Sequence, residues 1–360
     1  MMRFAMKISK QLGKMNNLTA LVLLLCLTVG ASAEGFTPLS TADNALYQLS
    51  VRLIDFPDNT FENDMLLDNS TTHQTKSLPG LLSGFPGEDG YPMNRDGVSI
   101  APLFEEAFEV NHLFLTEPLQ DGGIWEFDSA QCFAALNGAD FTLYRELGTI
   151  DTPSATTMDH GQFLPFNTIT SGYISACHPA NTYDVLGGEL PDDDPRNGEP
   201  LYAIPANEAN HYFGLALDAA FTIPQDALDT QGQDLIASFT ADDDLWVYID
   251  DYLILDLGGI HSAIPGSINF STGTVTYRDE DGKDSTIKLY KLFQQRFMER
   301  YPEAHGRDVQ DFIEDLFTEN SHWQSVFKEN TTHTLKLIYL ERGAGASNLH
   351  IRFNLPVLPK

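Results

Sequence analysis

Residues 239–261 read FTADDDLWVYIDDYLILDLGGIH and carry the clearest structural signal in the chain. After the three aspartates, Leu245, Val247 and Ile249 alternate with Trp246 and Tyr248. A period of two places successive side chains on opposite faces of a strand, and one buried face is typical of antiparallel sheets. The same alternation recurs over residues 47–53, 335–339 and 349–355. The sequence therefore predicts a mainly β fold built from antiparallel strands.

One region departs from this period and predicts helices. Its apolar residues recur at intervals of three and four: Ile287, Tyr290, Phe293, Phe297 and Tyr301. That spacing marks one face of a helix. Pro302 ends the pattern, and a second apolar set over residues 309–317 indicates another short helix. We therefore predict a small helical insert near residues 285–318, within one β domain over residues 34–360.

The first 33 residues have the pattern of a cleaved signal peptide. Four basic residues, from Arg3 to Lys14, precede an apolar run over residues 18–29. Ala31 and Ala33 then supply small residues at the spacing of a cleavage site. The run is shorter than the roughly 20 residues that span a bilayer. We therefore predict a signal peptide over residues 1–33, a secreted or cell-surface location, and no membrane span.

The composition limits the partners of this protein. The chain has 21 Lys and Arg against 51 Asp and Glu, a formal net charge of −30 at pH 7. That much negative charge repels phosphate backbones and anionic lipid headgroups, so we expect no nucleic-acid partner. Hydrophobic residues make up 42% of the 360 residues, which is enough for a substantial core.

The chain has three cysteines. Cys26 lies in the predicted signal peptide, which leaves Cys132 and Cys177 in the mature protein. Two thiols in an oxidising compartment favour one disulfide bond between Cys132 and Cys177. Two separate buried thiols are the alternative.

Asp242, Asp243 and Asp244 place three consecutive carboxylates at the junction of two predicted strands. Neighbouring carboxylates raise one another's pKa unless a cation neutralises them. A hard cation such as Ca²⁺ takes six to eight oxygen ligands and would fit such a cluster. From the triplet alone, a calcium site and a solvated acidic turn are both open.

The familiar motifs of catalysis are absent from the sequence. There is no G-x-S-x-G nucleophile elbow, no H-E-x-x-H zinc motif and no P-loop. The histidines are scattered, and the carboxylates are too many for a catalytic pair to be chosen. We therefore predict that the protein is not an enzyme.

Several short motifs occur in order along the chain, at residues 127–129, 138–144, 161–167, 221–224, 241–250, 256–262, 266–270, 333–335, 339–343 and 347–349. As an ordered set they resemble the fibro-slime domain family, a relative of the PA14 family. The resemblance extends from about Leu46 to Leu355. It implies an antiparallel, PA14-like β-sandwich or barrel and a role at cell surfaces or in extracellular matrix.

The resemblance also implies a calcium site. In sugar-binding PA14 relatives, two adjacent aspartates joined by a cis peptide bond hold Ca²⁺, and the Ca²⁺ holds sugar hydroxyls. That pair falls on Asp242 and Asp243. A further ligand comes from the loop before the last strand, here residues 343–348, where Asn348 supplies a carbonyl oxygen. Many members carry Asp-Gly at the turn after the motif strand, whereas this chain has Asp250-Asp251.

Two functions follow from this resemblance. The first is a secreted, calcium-binding, adhesin-like module that binds an extracellular glycan or matrix component. The alternative is a purely structural extracellular or surface-assembly protein that binds no sugar. Trp246 and Tyr248 could stack on a sugar or pack beneath the helical insert. We expect His261 to be a structural hydrogen-bonding partner, because imidazole is a poor Ca²⁺ ligand.

Overall fold

The computed structural model describes residues 38–57, 67, 75–145, 163–166, 174–175, 201–202, 210–279, 281–343 and 347–360. The predicted signal peptide lies outside the described residues. The helices are α1 Thr116–Gly122, α2 Leu289–Arg300 and α3 Arg307–Leu316. The strands are β1 Leu49–Asp55, β2 Leu82–Pro86, β3 Pro92–Asn94, β4 Phe108–Val110, β5 Trp125–Asp128, β6 Cys132–Asn137, β7 Asp140–Arg145, β8 Ile174–Ser175, β9 Leu201–Tyr202, β10 Tyr212–Thr222, β11 Ile236–Asp242, β12 Asp244–Ile249, β13 Tyr252–Leu257, β14 Ile264–Asn269, β15 Thr274–Arg278, β16 Asp284–Lys288, β17 Phe317–Glu319, β18 Ser325–Phe327, β19 Thr332–Arg342 and β20 Asn348–Phe353.

Two six-stranded sheets form the body of the fold. The first sheet has the order β13-β12-β19-β10-β1-β4, and the second has the order β16-β15-β14-β11-β20-β5. Every neighbouring pair in both sheets is antiparallel. The predicted antiparallel β fold is therefore confirmed.

The main core lies between the two sheets. The first sheet contributes Leu217, Leu245 and Val247 to it, and the second contributes Phe239 and Ile351. All five side chains are almost completely buried. A shared core between two open sheets is the arrangement of a sandwich, so the sandwich is the observed form of the two expected architectures.

The outer face of the first sheet is also covered. Trp246 and Tyr248 are 0% exposed and belong to a second apolar cluster with Leu82 and Leu103. The Tyr248 hydroxyl donates to the Ser83 carbonyl at 2.9 Å. Because both rings are buried, neither is open to stack on a sugar, and the described apolar cluster that holds them contains no residue of the helical insert. A segment around residues 81–104 covers them, and its irregular apolar pattern gave no periodic signal in the sequence.

The helical insert lies between β16 and β17 and is confirmed. Phe297 in α2 stacks on Phe312 in α3, with ring centroids 4.0 Å apart. Phe293 attaches α2 to the first sheet through Tyr252, at 5.3 Å between centroids. Ile287, which the helical spacing included, lies in β16 instead. No helix among the described residues is long and apolar enough to cross a membrane.

The turn after the motif strand contains only Asp250 and Asp251. Ile249 pairs with Tyr252 on either side of it. Both aspartates have positive φ, 49° and 63°, as the two-residue hairpin turn of type I′ requires. The Asp250 carboxylate accepts a hydrogen bond from Thr334 N at 2.9 Å and pairs with His333 Nδ1 at 2.5 Å. These contacts hold a turn that lacks the usual glycine.

Candidate functional site

The chain changes sheets at the aspartate triplet. β11 of the second sheet ends at Asp242, and β12 of the first sheet begins at Asp244. Asp243 lies between them, and the Asp242–Asp243 peptide bond is cis, as the resemblance implies. The three residues are 5%, 2% and 0% exposed, in chain order. The open alternative of a solvated acidic turn is therefore wrong, because these carboxylates are inside the protein.

Asp244 has a full set of partners in the protein. Its carboxylate accepts from Arg342 Nε at 2.5 Å and Nη2 at 3.1 Å, and from Gly259 N at 2.6 Å. Both charged side chains are 0% exposed. A two-point Arg–carboxylate pair of this kind is strong and directional. Asp244 therefore anchors the end of β19 and is neutralised by Arg342.

Within the described residues, Asp243 accepts hydrogen bonds only from backbone groups. His261 N donates to its Oδ1 at 3.0 Å, and Arg342 N donates to its Oδ2 at 3.2 Å. Each carboxylate oxygen accepts more than one bond, so both oxygens keep capacity for a cation. Burial, followed by the charges of Asp244 and Asp242, raises the pKa of Asp243 well above its usual value.

Glu341 adds a further buried carboxylate that the sequence did not mark as part of the site. It is 0% exposed, accepts from Gly343 N at 3.2 Å and has its Oε2 atom 3.2 Å from the Tyr339 hydroxyl oxygen. Burial, then the charges of Asp243 and Asp242, raises the pKa of Glu341 well above its usual value. In the sequence, its only signal is its place beside Arg342 within the motif at residues 339–343.

Arg342 is the one cation that contacts this cluster in the described part of the chain. Burial opposes its charge, but the Asp244 carboxylate outweighs burial and raises the pKa of Arg342. Among the described residues, one guanidinium lies in a cluster with four buried carboxylates: Asp242, Asp243, Asp244 and Glu341. Buried carboxylates persist together only where protons or cations neutralise them.

Asn348 lies where the resemblance requires a ligand. It pairs directly with Asp242 across β11 and β20. Directly opposed residues lie on the same face of a sheet, with Cβ atoms about 4.5–5.5 Å apart. Its Nδ2 atom is buried and has no hydrogen-bond partner. The nitrogen and oxygen of an amide are assigned from their hydrogen bonds. Rotating the Asn348 amide by 180° would therefore place its oxygen at the buried position that Nδ2 now occupies.

The network around Tyr339 fixes the geometry of the loop before β20. Its hydroxyl donates to the Asp242 carbonyl at 2.6 Å and lies 3.0 Å from Ser347 Oγ. Ser347 Oγ also donates to the Phe163 carbonyl at 2.7 Å. Gly343 packs so closely on Tyr212 that an added Cβ would lie 2.8 Å from its ring. The predicted loop contributes Gly343, Ser347 and Asn348 to the described structure, and residues 344–346 lie outside it.

His261 has the structural role expected from the sequence. Its ring nitrogens lie 3.0 Å from the Ser262 carbonyl and 2.9 Å from the Leu257 carbonyl. Its backbone N–H donates to Asp243. The ring therefore holds the loop after β13, and the backbone holds the aspartate.

The side chains at this site fit a calcium site in which the protein supplies only a few carboxylate ligands. The described residues contain no group of three or more His, Cys, Asp or Glu side chains arranged as metal ligands. A cation here would take Asp242 and Asp243 as charged ligands and Asn348 as a neutral one. Ca²⁺ accepts six to eight oxygens, so water or ligand hydroxyls would fill the remaining positions.

Only one cysteine of the predicted disulfide bond is among the described residues. Cys132 begins β6 and is buried, whereas Cys177 lies outside the described residues. The Cys132–Cys177 pairing therefore stays a prediction.

Comparisons with known proteins give partial similarities. No protein-family model matches the chain. Protein psiP of Dictyostelium discoideum is 33% identical over 90 residues, which are 22% of this chain and 11% of psiP. Protein psiE of the same organism is 35% identical over 78 residues, which are 21% of this chain and 14% of psiE. The chain thus spans only a small part of the length of these curated relatives.

One solved structure also matches in part. It is the PA14 domain of the antifreeze protein MpAFP, with 9% identity and a TM-score of 0.19. The match covers 45% of this chain and 52% of that domain. The fold class of this chain therefore rests on its own strand pairing and shared core, which are those of an antiparallel β-sandwich.

Proposed function

We propose that this chain is a secreted, adhesin-like module that binds an extracellular glycan or matrix component through Ca²⁺. Asp242 and Asp243 would hold the ion, and Asn348 would complete the protein's share of the ligands. Bound Ca²⁺ supplies coordination positions for vicinal sugar hydroxyls. The proposal concerns binding without turnover, so release of soluble sugar from a polysaccharide would contradict it.

The cluster of buried carboxylates carries this proposal. Four acidic side chains and one arginine lie together at the point where the chain changes sheets. Arg342 is paired with Asp244, and burial together with the neighbouring carboxylates raises the pKa values of Asp243 and Glu341. A divalent cation would neutralise these carboxylates, and the opposed Asn348 offers an uncharged ligand.

A calcium titration of thermal stability tests the metal site. A ligand that binds only the folded state stabilises it by about 2.7 kcal/mol at one hundred times its Kd. We expect Ca²⁺ to raise the melting temperature of the wild-type protein and a chelator to reverse the rise. Asp242→Asn and Asp243→Asn should each lose most of this calcium-dependent rise.

Asp281→Asn is the matched control for these variants. It makes the same change of charge at a side chain that is 71% exposed and lies outside the cluster. Its calcium response should equal that of the wild type. Identical melting curves in Ca²⁺ and in chelator would contradict the metal site.

A purely structural role is the second candidate, and one observation favours it. The Tyr339 hydroxyl in the first sheet donates to the Asp242 carbonyl at the end of β11 in the second sheet, and the Asp244–Arg342 pair joins β12 to β19 within the first sheet. Neither contact needs a metal. Under this alternative, Ca²⁺ would stiffen the sandwich and no sugar would bind. A protein stabilised by Ca²⁺ that is not retained on any glycan surface would support the structural role.

A further inference from the structure

The hairpin of β17 and β18 presents a tryptophan to solvent. Trp323 lies in its turn and is 83% exposed, whereas Trp125 and Trp246 are 2% and 0% exposed. The turn is closed by Asn320, whose N–H donates to the Gln324 carbonyl at 2.9 Å. The Asn320 side-chain oxygen accepts from the backbone N–H of Gln324 at 3.0 Å. A defined turn therefore holds an indole that is largely exposed to water.

The same hairpin lines a cavity of about 430 Å³. That volume falls within the range of small-molecule sites, about 300–1,000 Å³. Polar residues on its wall include Asp226, Thr318, Glu319, Lys328 and Glu329. Within the described structure, the side chains of Thr318, Glu319 and Lys328 make no hydrogen bond or ion pair. The cavity therefore offers both donors and acceptors to a ligand.

Residues that line this cavity are held in place by packing and hydrogen bonds with neighbouring residues. Phe327 stacks on Phe317 at 4.7 Å and on His333 at 3.9 Å between ring centroids. The carbonyl of Ala227, another wall residue, accepts from the Ser271 hydroxyl and from a backbone N–H. A ligand entering a pre-formed site loses less affinity to the ordering of side chains.

The cavity and the aspartate cluster lie at opposite ends of β19. Lys328 and Glu329 line the cavity just before the strand begins at Thr332. Arg342, the last residue at the other end, contacts Asp243 and Asp244 of the buried aspartate cluster. An 11-residue strand at about 3.3 Å per residue separates the two places by about 30 Å. No residue lining the cavity is shared with the proposed calcium site.

We propose that Trp323 and this cavity form a second carbohydrate contact that needs no calcium. The C–H face of a sugar ring stacks on the indole, as apolar surface does on aromatic rings. The hydroxyls of the adjoining sugar bind the open groups of Thr318, Glu319 and Lys328. Three carboxylates against one lysine on the wall disfavour acidic sugars, so the ligand is a neutral oligosaccharide.

Intrinsic fluorescence tests this contact directly, because Trp323 is the exposed one of the three tryptophans. The probes are hexasaccharides of glucose, mannose, galactose and N-acetylglucosamine, each added in excess chelator. We expect at least one to protect Trp323 from quenching by acrylamide. Calorimetry with that sugar should show about tenfold weaker binding to Trp323→Ala, equivalent to about 1.4 kcal/mol.

Two controls separate this contact from the calcium site and from non-specific binding to exposed apolar side chains. Leu46→Ala removes another exposed apolar side chain, which is 66% exposed, and should bind the sugar as the wild type does. Asp243→Asn should keep all binding that persists in chelator, even if the proposed calcium function fails. Absence of protection by every sugar in the panel, or unchanged affinity of Trp323→Ala, would overturn the proposal.

Discussion

Three consecutive aspartates acquire different roles from their surroundings. Asp244 is paired with Arg342, Asp243 accepts only backbone N–H groups, and Asp242 faces Asn348 across a strand pair. Identical side chains therefore divide into one structural anchor and two candidate ligands. The division follows from the change of sheet at Asp243, which turns the two neighbours toward different partners.

The Asp244–Arg342 pair gives a prediction about stability. Arg342→Met leaves the Asp244 carboxylate buried without its cation, and the loss of one partner of such a pair costs about 3–5 kcal/mol. We expect urea unfolding to show a drop of that size in the free energy of unfolding. The double variant Asp244→Leu with Arg342→Met should recover part of the loss, because no lone charge remains. A single variant as stable as the wild type would contradict the pairing.

The raised pKa of Asp243 predicts a pH dependence in chelator. A group whose pKa is higher in the folded state stabilises the fold fully below its unfolded value, here 3.8. That contribution is lost as the pH rises through the folded pKa, by up to about 1.4 kcal/mol per pH unit. Asp243→Asn should therefore gain stability relative to the wild type as the pH rises above about 4.

Unfolding by urea at a series of pH values measures this difference. Saturating Ca²⁺ should shrink the pH dependence of the wild type, since the ion replaces the proton as the neutralising charge. Wild-type and Asp243→Asn curves that run parallel from pH 4 to pH 8 in chelator would contradict the assignment.

Among the single elements, the β12–β13 turn has a backbone conformation that lowers stability and that a substitution can improve. Asp251 is exposed and has a φ of 63°, a conformation that glycine adopts without penalty. We expect Asp251→Gly to raise the free energy of unfolding by about 0.5 kcal/mol. Asp250→Gly should lower it, because the contacts of Asp250 with His333 and Thr334 are lost. Thermal unfolding of both variants measures the contrast, and a destabilised Asp251→Gly would contradict it.

Elements with a regular period could be predicted from the sequence alone. The alternation at Leu245, Val247 and Ile249 correctly placed these residues on the core face of a strand. The three-and-four spacing found α2, because Phe293 and Phe297 pack on one side of it. Both patterns are local and repeat several times within one element, so they can be recognised without knowledge of the tertiary fold.

Contacts between distant segments could not be predicted in this way. Asp244 and Arg342 lie 98 residues apart in the chain, and no local pattern links them. The covering of Trp246 and Tyr248 by the segment around residues 81–104 is of the same kind. Asn348 and the aspartate pair were joined by the family resemblance, since their adjacency depends on the register of β11 and β20.

At the scale of the whole molecule, the two proposed sites occupy opposite ends of one strand of the sandwich. A chain that held one glycan at Asp242 and Asp243 and another beside Trp323 would connect two polysaccharide strands. Weak single contacts become useful when several act together, because the second is made at high effective concentration. The net charge of −30 opposes association between copies of the chain, so the connection would run through the glycan.

Retention on a glycan array with and without Ca²⁺ measures whether the protein binds glycan through a calcium ion at Asp242 and Asp243. The comparison uses the wild type, Asp243→Asn and Asn348→Ala, each on clustered neutral glycans. We expect wild-type retention to contain a calcium-dependent part that is lost in Asp243→Asn and weakened in Asn348→Ala. Equal retention of the wild type in Ca²⁺ and in chelator, or full calcium-dependent retention of Asp243→Asn, would show that Asp242 and Asp243 do not bind glycan through calcium.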